Sequence, residues 1–262
     1  MYLSLNAFTR GCDVTKKINH LFGALLGSVC MFAGSTWAQH ISVVTEQYPP
    51  YNYEENGKIK GVGTEVVEAV LKEAGVTYDI KIYPWARSLS MAETEENVLI
   101  YSISRTEKRE NIYRWIGVIS PIRFYIYALN SRSDIQTMKD IDQAKPYRVG
   151  VAHKDALEQY FLDKKFPNIA SSYDNEINIK RLFLGDIDLW PMSEYTANYF
   201  LGKISHKPSD LKKIHEIKGF ANGDQYMAMS LSTDIRVVKK IQDALKKIKH
   251  DGTYKKILSK YE

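Results

Sequence analysis

Cysteine is nearly absent: among 262 residues there are two, Cys12 and Cys30. Both fall within a leading segment that reads as removable, so residues 39–262 carry no thiol. That excludes thiol catalysis, cysteine-ligated metal and a disulfide staple. Past the leader, His40, His153, His206, His215 and His250 show no metal-ligand spacing, and no His-Glu-x-x-His motif occurs. A Gly-x-Ser-x-Gly nucleophile elbow and a phosphate-cradling glycine loop are also missing. "GKIKGVG" (57–63) joins a turn to a helix, and its glycines read as backbone devices. Asp186 and Asp188 stand two apart like a carboxylate pair, but helix-to-strand turn chemistry explains them more simply. Charge of one sign is lacking too. The 36 basic and 31 acidic residues are interspersed and leave a net of +5, which speaks against a nucleic-acid partner. Nothing calls for a cofactor.

The first 38 residues differ from the rest. Arg10, Lys16 and Lys17 precede an uncharged stretch, "LFGALLGSVCMFAGSTWA", that ends in small residues. A basic start, a short apolar core and a small-x-small ending form a secretory signal peptide, with Thr36 and Ala38 directing cleavage before Gln39. The apolar run is near the ~18 residues at which a membrane span becomes possible. Its glycines and the interruptions at Ser28, Ser35 and Thr36 favour removal. The expected location is the periplasm.

After the leader, strand-like and helix-like segments alternate. "ISVVT" (41–45) and "YDIKIYP" (78–84) read as strands around a helix in "TEVVEAVLKEAG" (64–75), and "NVLIYSIS" (97–104) is a further strand. A second series starts at "YRVGVA" (147–152) and runs through helical 154–166 and 175–185, "DIDLW" (186–190) and helical 193–202. Gly185 and Gly202 are placed as helix C-caps. The tail, 235–252, carries Val238, Ile241, Leu245 and Ile248 on one helical face, and Thr253 suits the cap of a last short helix. Two extended apolar segments, 124–134 and 224–232, link the two series. The expectation is an α/β fold of two lobes, each a sheet flanked by helices, with two extended hinge crossings and a ligand cleft between them. The boundaries implied are a signal peptide at 1–38, a first lobe at 39–125 and 227–262, and a second lobe at 126–226.

"TEQYPPYNYEENGKIKGVGTEVV", "SISRTEKRE" and "HDGTYKKILSKY" together resemble the periplasmic solute-binding proteins of polar amino acid uptake systems, extracellular solute-binding protein family 3. The resemblance covers nearly all of the chain past the leader. It implies a two-lobed flytrap that closes on a small solute, an amino acid or related carboxylate, and delivers it as a monomer to an inner-membrane ABC permease. By the same resemblance Arg109 is the carboxylate anchor, Ser102 and Ser104 are strand-end hydrogen-bonders, and Tyr48, Tyr51 and Trp85 wall the solute. A guanidinium fork suits a carboxylate because it makes two parallel charge-assisted bonds. Arg105, four residues before Arg109, reads as solvated or structural, with Glu110 as a candidate partner, and ligand contact is the alternative.

The sequence departs from that pattern where an ammonium would be held. Ser193 stands at the second-lobe acidic position, with Glu194 next to it, and Thr45 replaces a first-lobe aspartate, with Glu46 adjacent. "HKDAL" replaces a Gly-Thr-Thr-like turn, so Lys154 and Asp155 change the charge there. Either Glu46 or Glu194 substitutes by a one-residue shift, or the solute is not an ordinary amino acid. Two other functions share the fold: a dehydratase-like enzyme using Glu46 or Glu194 as acid or base, and a sensor subunit reporting to a membrane receptor.

Overall fold

The computed structural model describes residues 40–220 and 223–261; the expected leader, its cleavage site and both cysteines lie outside the described residues. The chain opens with β1 (His40–Thr45), a small hairpin of β2 (Tyr53–Glu55) and β3 (Lys58–Lys60), and α1 (Val62–Ala74). β4 (Thr77–Ile82), α2 (Trp85–Thr94), β5 (Val98–Ile103) and β6 (Tyr113–Pro121) follow. β1 is flanked in parallel by β4 and β5. Val66, Val67, Val70 and Leu71 of α1 are fully buried, each contributing about 1.5–3 kcal/mol of apolar burial. Gly75, in the left-handed conformation, ends the helix and returns its amide to Lys72 O.

The start of α1 has no side-chain cap. Instead Val62 N donates to Pro50 O at 3.1 Å, and Gly63 N and Thr64 N donate to Tyr51 O at 2.8 and 3.3 Å. The helix terminus and the Tyr48–Tyr51 loop therefore satisfy one another. Gly61 makes this possible: its φ is +120°, and a Cβ there would lie 2.5 Å from both Pro50 O and Tyr51 O.

A second group of strands begins with β7 (Phe124–Leu129) and continues through β8 (Val149–Ala152), α3 (Ala156–Asp163), β9 (Ile169–Ser172), α4 (Asn175–Leu184), β10 (Trp190–Ser193), α5 (Glu194–Lys203) and β11 (Leu211–Glu216). β7 lies between β10 and β11, antiparallel to both. β8 and β9 pair in parallel, and a bridge from Val149 to Leu189 ties them to the start of β10. The chain then returns to the first sheet as β12 (Asp224–Ser230), whose order is β4-β1-β5-β12-β6. β12 is antiparallel to both neighbours. α6 (Ile235–His250) and α7 (Thr253–Leu258) complete the first lobe. Val238, Ile241, Leu245 and Ile248 are buried, and the Tyr261 hydroxyl donates to Glu65 of α1 at 2.6 Å.

The sequence reading needs three corrections. Segments 124–134 and 224–232 are not hinges in the main: β7 and β12 are sheet strands, and the chain passes between sheets at 122–123 and 217–223. An extended apolar segment reads the same whether it crosses a gap or fills a sheet. Gly202 does not cap α5, which runs to Lys203 and is capped at Ile204. Gly252, with φ +86°, takes the N-cap of α7, and Thr253 is its first residue. Asp188 has a structural role in line with its turn reading, bonded to Arg132 Nη1 at 2.7 Å and Arg148 N at 2.9 Å.

Candidate functional site

The site residues expected on the first lobe gather at strand ends. Glu46 and Tyr48 follow β1, Trp85 opens α2, and Ser102 and Ser104 close β5. Arg109 ends a short 3-10 turn, Glu107–Arg109. Tyr48 and Tyr51 flank a cis Pro49–Pro50 bond, and their buried rings stack with centroids 5.4 Å apart and 19° between planes. Asn52 anchors the loop, donating from Nδ2 to Thr45 Oγ1 at 2.8 Å and Glu46 O at 2.7 Å. Thr45 is fully buried and donates to Tyr101 O at 3.2 Å, so it belongs to the core and not to the cleft.

Ser102 is a non-glycine residue at φ +56°, buried, and its Oγ has no partner among the described residues. Left-handed backbone and an unpaired buried hydroxyl thus coincide at the end of β5. Trp85, expected as a wall of the solute, is also part of the core. Its ring packs with Val44, Leu89 and Ile100, yet the Arg109 guanidinium lies over it at 5.8 Å and its Nε1 is unpartnered among the described residues.

Arg109 reaches across to the second lobe. Nη1 donates to Ser104 O at 3.3 Å and Nη2 to Lys154 O at 3.2 Å. Burial holds its pKa below the ordinary value, opposed by nearby Asp155. Lys154 meets it through the backbone, in a left-handed conformation (φ +61°) with its amide donating to Glu158 Oε2 at 2.6 Å. Asp155 caps α3, and burial raises its pKa against the lowering effect of Arg109. A cavity of about 770 Å³ borders this point, with Leu89, Glu93 and Arg109 on one wall and Asp155 and Gln159 on the other.

Glu46 is half-buried and feels the charge of Arg109. Burial lifts its pKa well above the carboxylate range, helped by Asp155 and Asp174 and opposed by Arg109. Glu194 does not join it: its carboxylate is 2.7 Å from Lys213 Nζ, on β11. Ser193 is fully buried beside the hydroxyls of Tyr48 and Tyr51. It serves as the N-cap of α5, donating to Thr196 Oγ1 at 2.7 Å and accepting from Thr196 N at 3.3 Å. Asp174 escaped the sequence reading. The available signal was its place before a helix that follows a parallel strand, since such helix starts line the cleft edge of an α/β sheet. Cross-lobe contacts at the rim, Lys108 to Asp163 at 2.5 Å and Tyr53 to Tyr199 at 5.5 Å between ring centroids, show the lobes closed.

Two α/β lobes joined by paired crossings, with a charged and aromatic-walled cleft between them, define a class of proteins that close around a solute. The chain belongs to the bacterial extracellular solute-binding proteins, family 3, which matches residues 41–262. That family consists of solute-binding proteins. The probable amino-acid-binding protein YxeM of Bacillus subtilis (strain 168) is 25% identical over 227 residues, 85% of this chain and 83% of the relative. The arginine-binding periplasmic protein of Mannheimia haemolytica is 26% identical over 242 residues, 86% and 91% of the two chains. An ancestral arginine-binding protein bound to arginine superposes with a TM-score of 0.73 at 20% identity, over 84% of this chain and 97% of that one. Among the described residues, no helix is long and apolar enough to cross a membrane.

Proposed function

We propose that this protein binds an amino acid or related small carboxylate in the periplasm, as a monomer without catalytic activity, and delivers it to an inner-membrane ABC permease. Residues 1–38 are the signal peptide in this reading, and Gln39 is the first residue of the mature chain. The observation that carries it is Arg109: a half-buried guanidinium between the lobes, seated over Trp85, with no directly paired carboxylate among the described residues. Its donors reach only two carbonyls, at 3.2 and 3.3 Å, which a carboxylate would displace with shorter charge-assisted bonds. Glu46, on the same lobe, is the group for the solute's cationic end. Tyr48 and Trp85 wall the solute, Ser102 offers its free hydroxyl, and Tyr51 and Ser193 close the far side. The names of the relatives, amino-acid-binding and arginine-binding, support the solute class.

The test is a thermal-shift screen of the mature protein against the L-amino acids and small carboxylates, followed by calorimetry on each hit. At least one α-amino acid should raise the melting temperature. If only solutes lacking an ammonium bind, the amino acid reading fails. If none of the panel binds, the reading of Arg109 as an anchor for small carboxylates fails with it.

A further inference from the structure

Arg105 and Arg109 stand four residues apart on one loop and make opposite sets of contacts. Arg109 points into the cleft. Arg105 spends its fork on one carboxylate: Nε donates to Glu110 Oε2 at 2.7 Å and Nη2 donates to Glu110 Oε1. The same guanidinium lies 5.2 Å from the ring centroid of Trp115 and 5.7 Å from that of Tyr226. Trp115 Nε1 in turn donates to Glu110 O at 3.1 Å. The two rings meet edge to face at 5.6 Å, and the strands that carry them, β6 and β12, are paired. The loop is therefore closed at both ends and fastened to the first sheet.

What it encloses is a short turn, tied elsewhere by Lys108 to Asp163 and by the two carbonyl bonds of Arg109. The 3-10 turn Glu107–Arg109 contains three residues, with no side-chain cap. Its backbone bonds are Arg109 N to Thr106 O at 3.0 Å, Glu110 N to Glu107 O at 3.2 Å and Ile112 N to Arg109 O at 3.1 Å. A turn this short does not fix the direction of a long side chain, and a binding group left free to wander loses affinity to its own entropy. We infer that Arg105 is a positioning residue: its bidentate pair with Glu110, stacked on Trp115 and Tyr226, sets the turn that aims Arg109 into the cleft. This rests on Arg109 being the solute anchor. The pair is half-exposed, so its contribution to global stability is small and its effect is local.

The experiment compares the mature wild type with Arg105→Gln, Arg105→Lys and the exchanged pair Arg105→Glu with Glu110→Arg. The first arm, amide hydrogen exchange, needs no solute. Arg105→Gln should speed exchange at Arg109, Glu110 and Ile112 by roughly 10-fold and leave β5 unchanged. The Arg109 Nε–H resonance should move in the same variant. Arg105→Lys keeps the charge but loses the fork, so it should not restore protection, whereas the exchanged pair should restore most of it. Unchanged exchange in Arg105→Gln, or an exchanged pair no better than the single variant, overturns the proposal. The second arm measures L-arginine affinity in a cycle with Arg109→Ala. Arg105→Gln should weaken binding about 5-fold when Arg109 is present and not when it is absent. A loss that persists without Arg109 would make Arg105 a direct contact, against the proposal. An Arg109→Ala variant that binds like wild type would instead overturn the anchor reading, while the exchange arm judges Arg105 independently.

Discussion

The two faces of the cleft are built in different ways. On the first lobe the facing groups are held by others and left open themselves. The Tyr48–Tyr51 loop is fastened to the start of α1, Arg109 sits on a braced turn, and Ser102 Oγ and Trp85 Nε1 have no partner among the described residues. On the second lobe three of the facing side chains already serve their own helices. Asp155 caps α3, accepting from Ala156 N at 2.5 Å; Asp174 caps α4, accepting from Ile177 N at 2.8 Å; Ser193 caps α5. A capping oxygen contributes about 0.5–2 kcal/mol to its helix and is not free to turn toward a solute. In the proposed reading the first lobe takes the solute, and the second shuts against it with a fixed, acidic surface.

The largest effect of breaking this division should come from Arg109→Ala. Removing one partner of an enclosed charged pair costs ~2–5 kcal/mol, so affinity for the best solute in the screen should fall at least about 30-fold in calorimetry. Unchanged affinity in a folded variant would place the anchor elsewhere. Next comes the pair of glutamates that the sequence leaves equal. Glu46→Gln should weaken amino acid binding about 10-fold or more, because an enclosed ammonium would lose its counter-charge. Glu194→Gln, whose carboxylate already pairs with Lys213, should change it by less than about 2-fold. The reverse order would return the cationic subsite to the second lobe.

Acidity sharpens the same contrast. Glu46 and Asp155 both have pKa values raised above their ordinary 4.5 and 3.8, chiefly by burial. In the ligand-free protein the folded state then binds these protons more tightly than the unfolded one. Their contribution to stability is greatest below the ordinary values and is lost as pH rises through the raised ones. Melting temperature followed by circular dichroism should show this component rising as pH falls from neutral, and Glu46→Gln should flatten its share. Amino acid affinity should move the other way, weakening as Glu46 takes up its proton. A comparably small effect belongs to the rim: Lys108→Gln removes an exposed pair with Asp163 and should cost no more than about 2-fold in affinity, less at high salt.

Much of this architecture is legible in the sequence, because helix and strand periods are local. Val66, Val67, Val70 and Leu71 mark the buried side of α1, and Gly75 marks its end. Arg109 donates to Ser104 O, five residues earlier on the same segment, and Arg105 pairs with Glu110, a partner their spacing on one loop allows. What stays hidden depends on distant partners. Nothing local tells Glu46 from Glu194, since the difference lies in Lys213 on another strand. Nor does the sequence around Tyr226 announce that its ring supports Arg105, 121 residues earlier in the chain. Thr45, which stands where the resemblance has a first-lobe aspartate, likewise depends on distant partners: Asn52 and Tyr101 O hold it in the core.

β12 occupies the interior of the first sheet, between β5 and β6, although it is the last strand of the chain to be made. A ribosome therefore completes β5 and β6 long before either has its neighbour, and Ser230 must arrive before its hydroxyl can bridge Val98 N at 2.9 Å and Val98 O at 3.0 Å. The second sheet draws all of its strands from residues 124–216, an unbroken stretch that is synthesised before β12 exists. A chain cut short before Asp224 would retain every strand of the second lobe and leave a slot through the middle of the first. Maturation thus runs opposite to sequence order: the lobe that starts first finishes last, and its solute-taking face is assembled only when the end of the chain has been delivered.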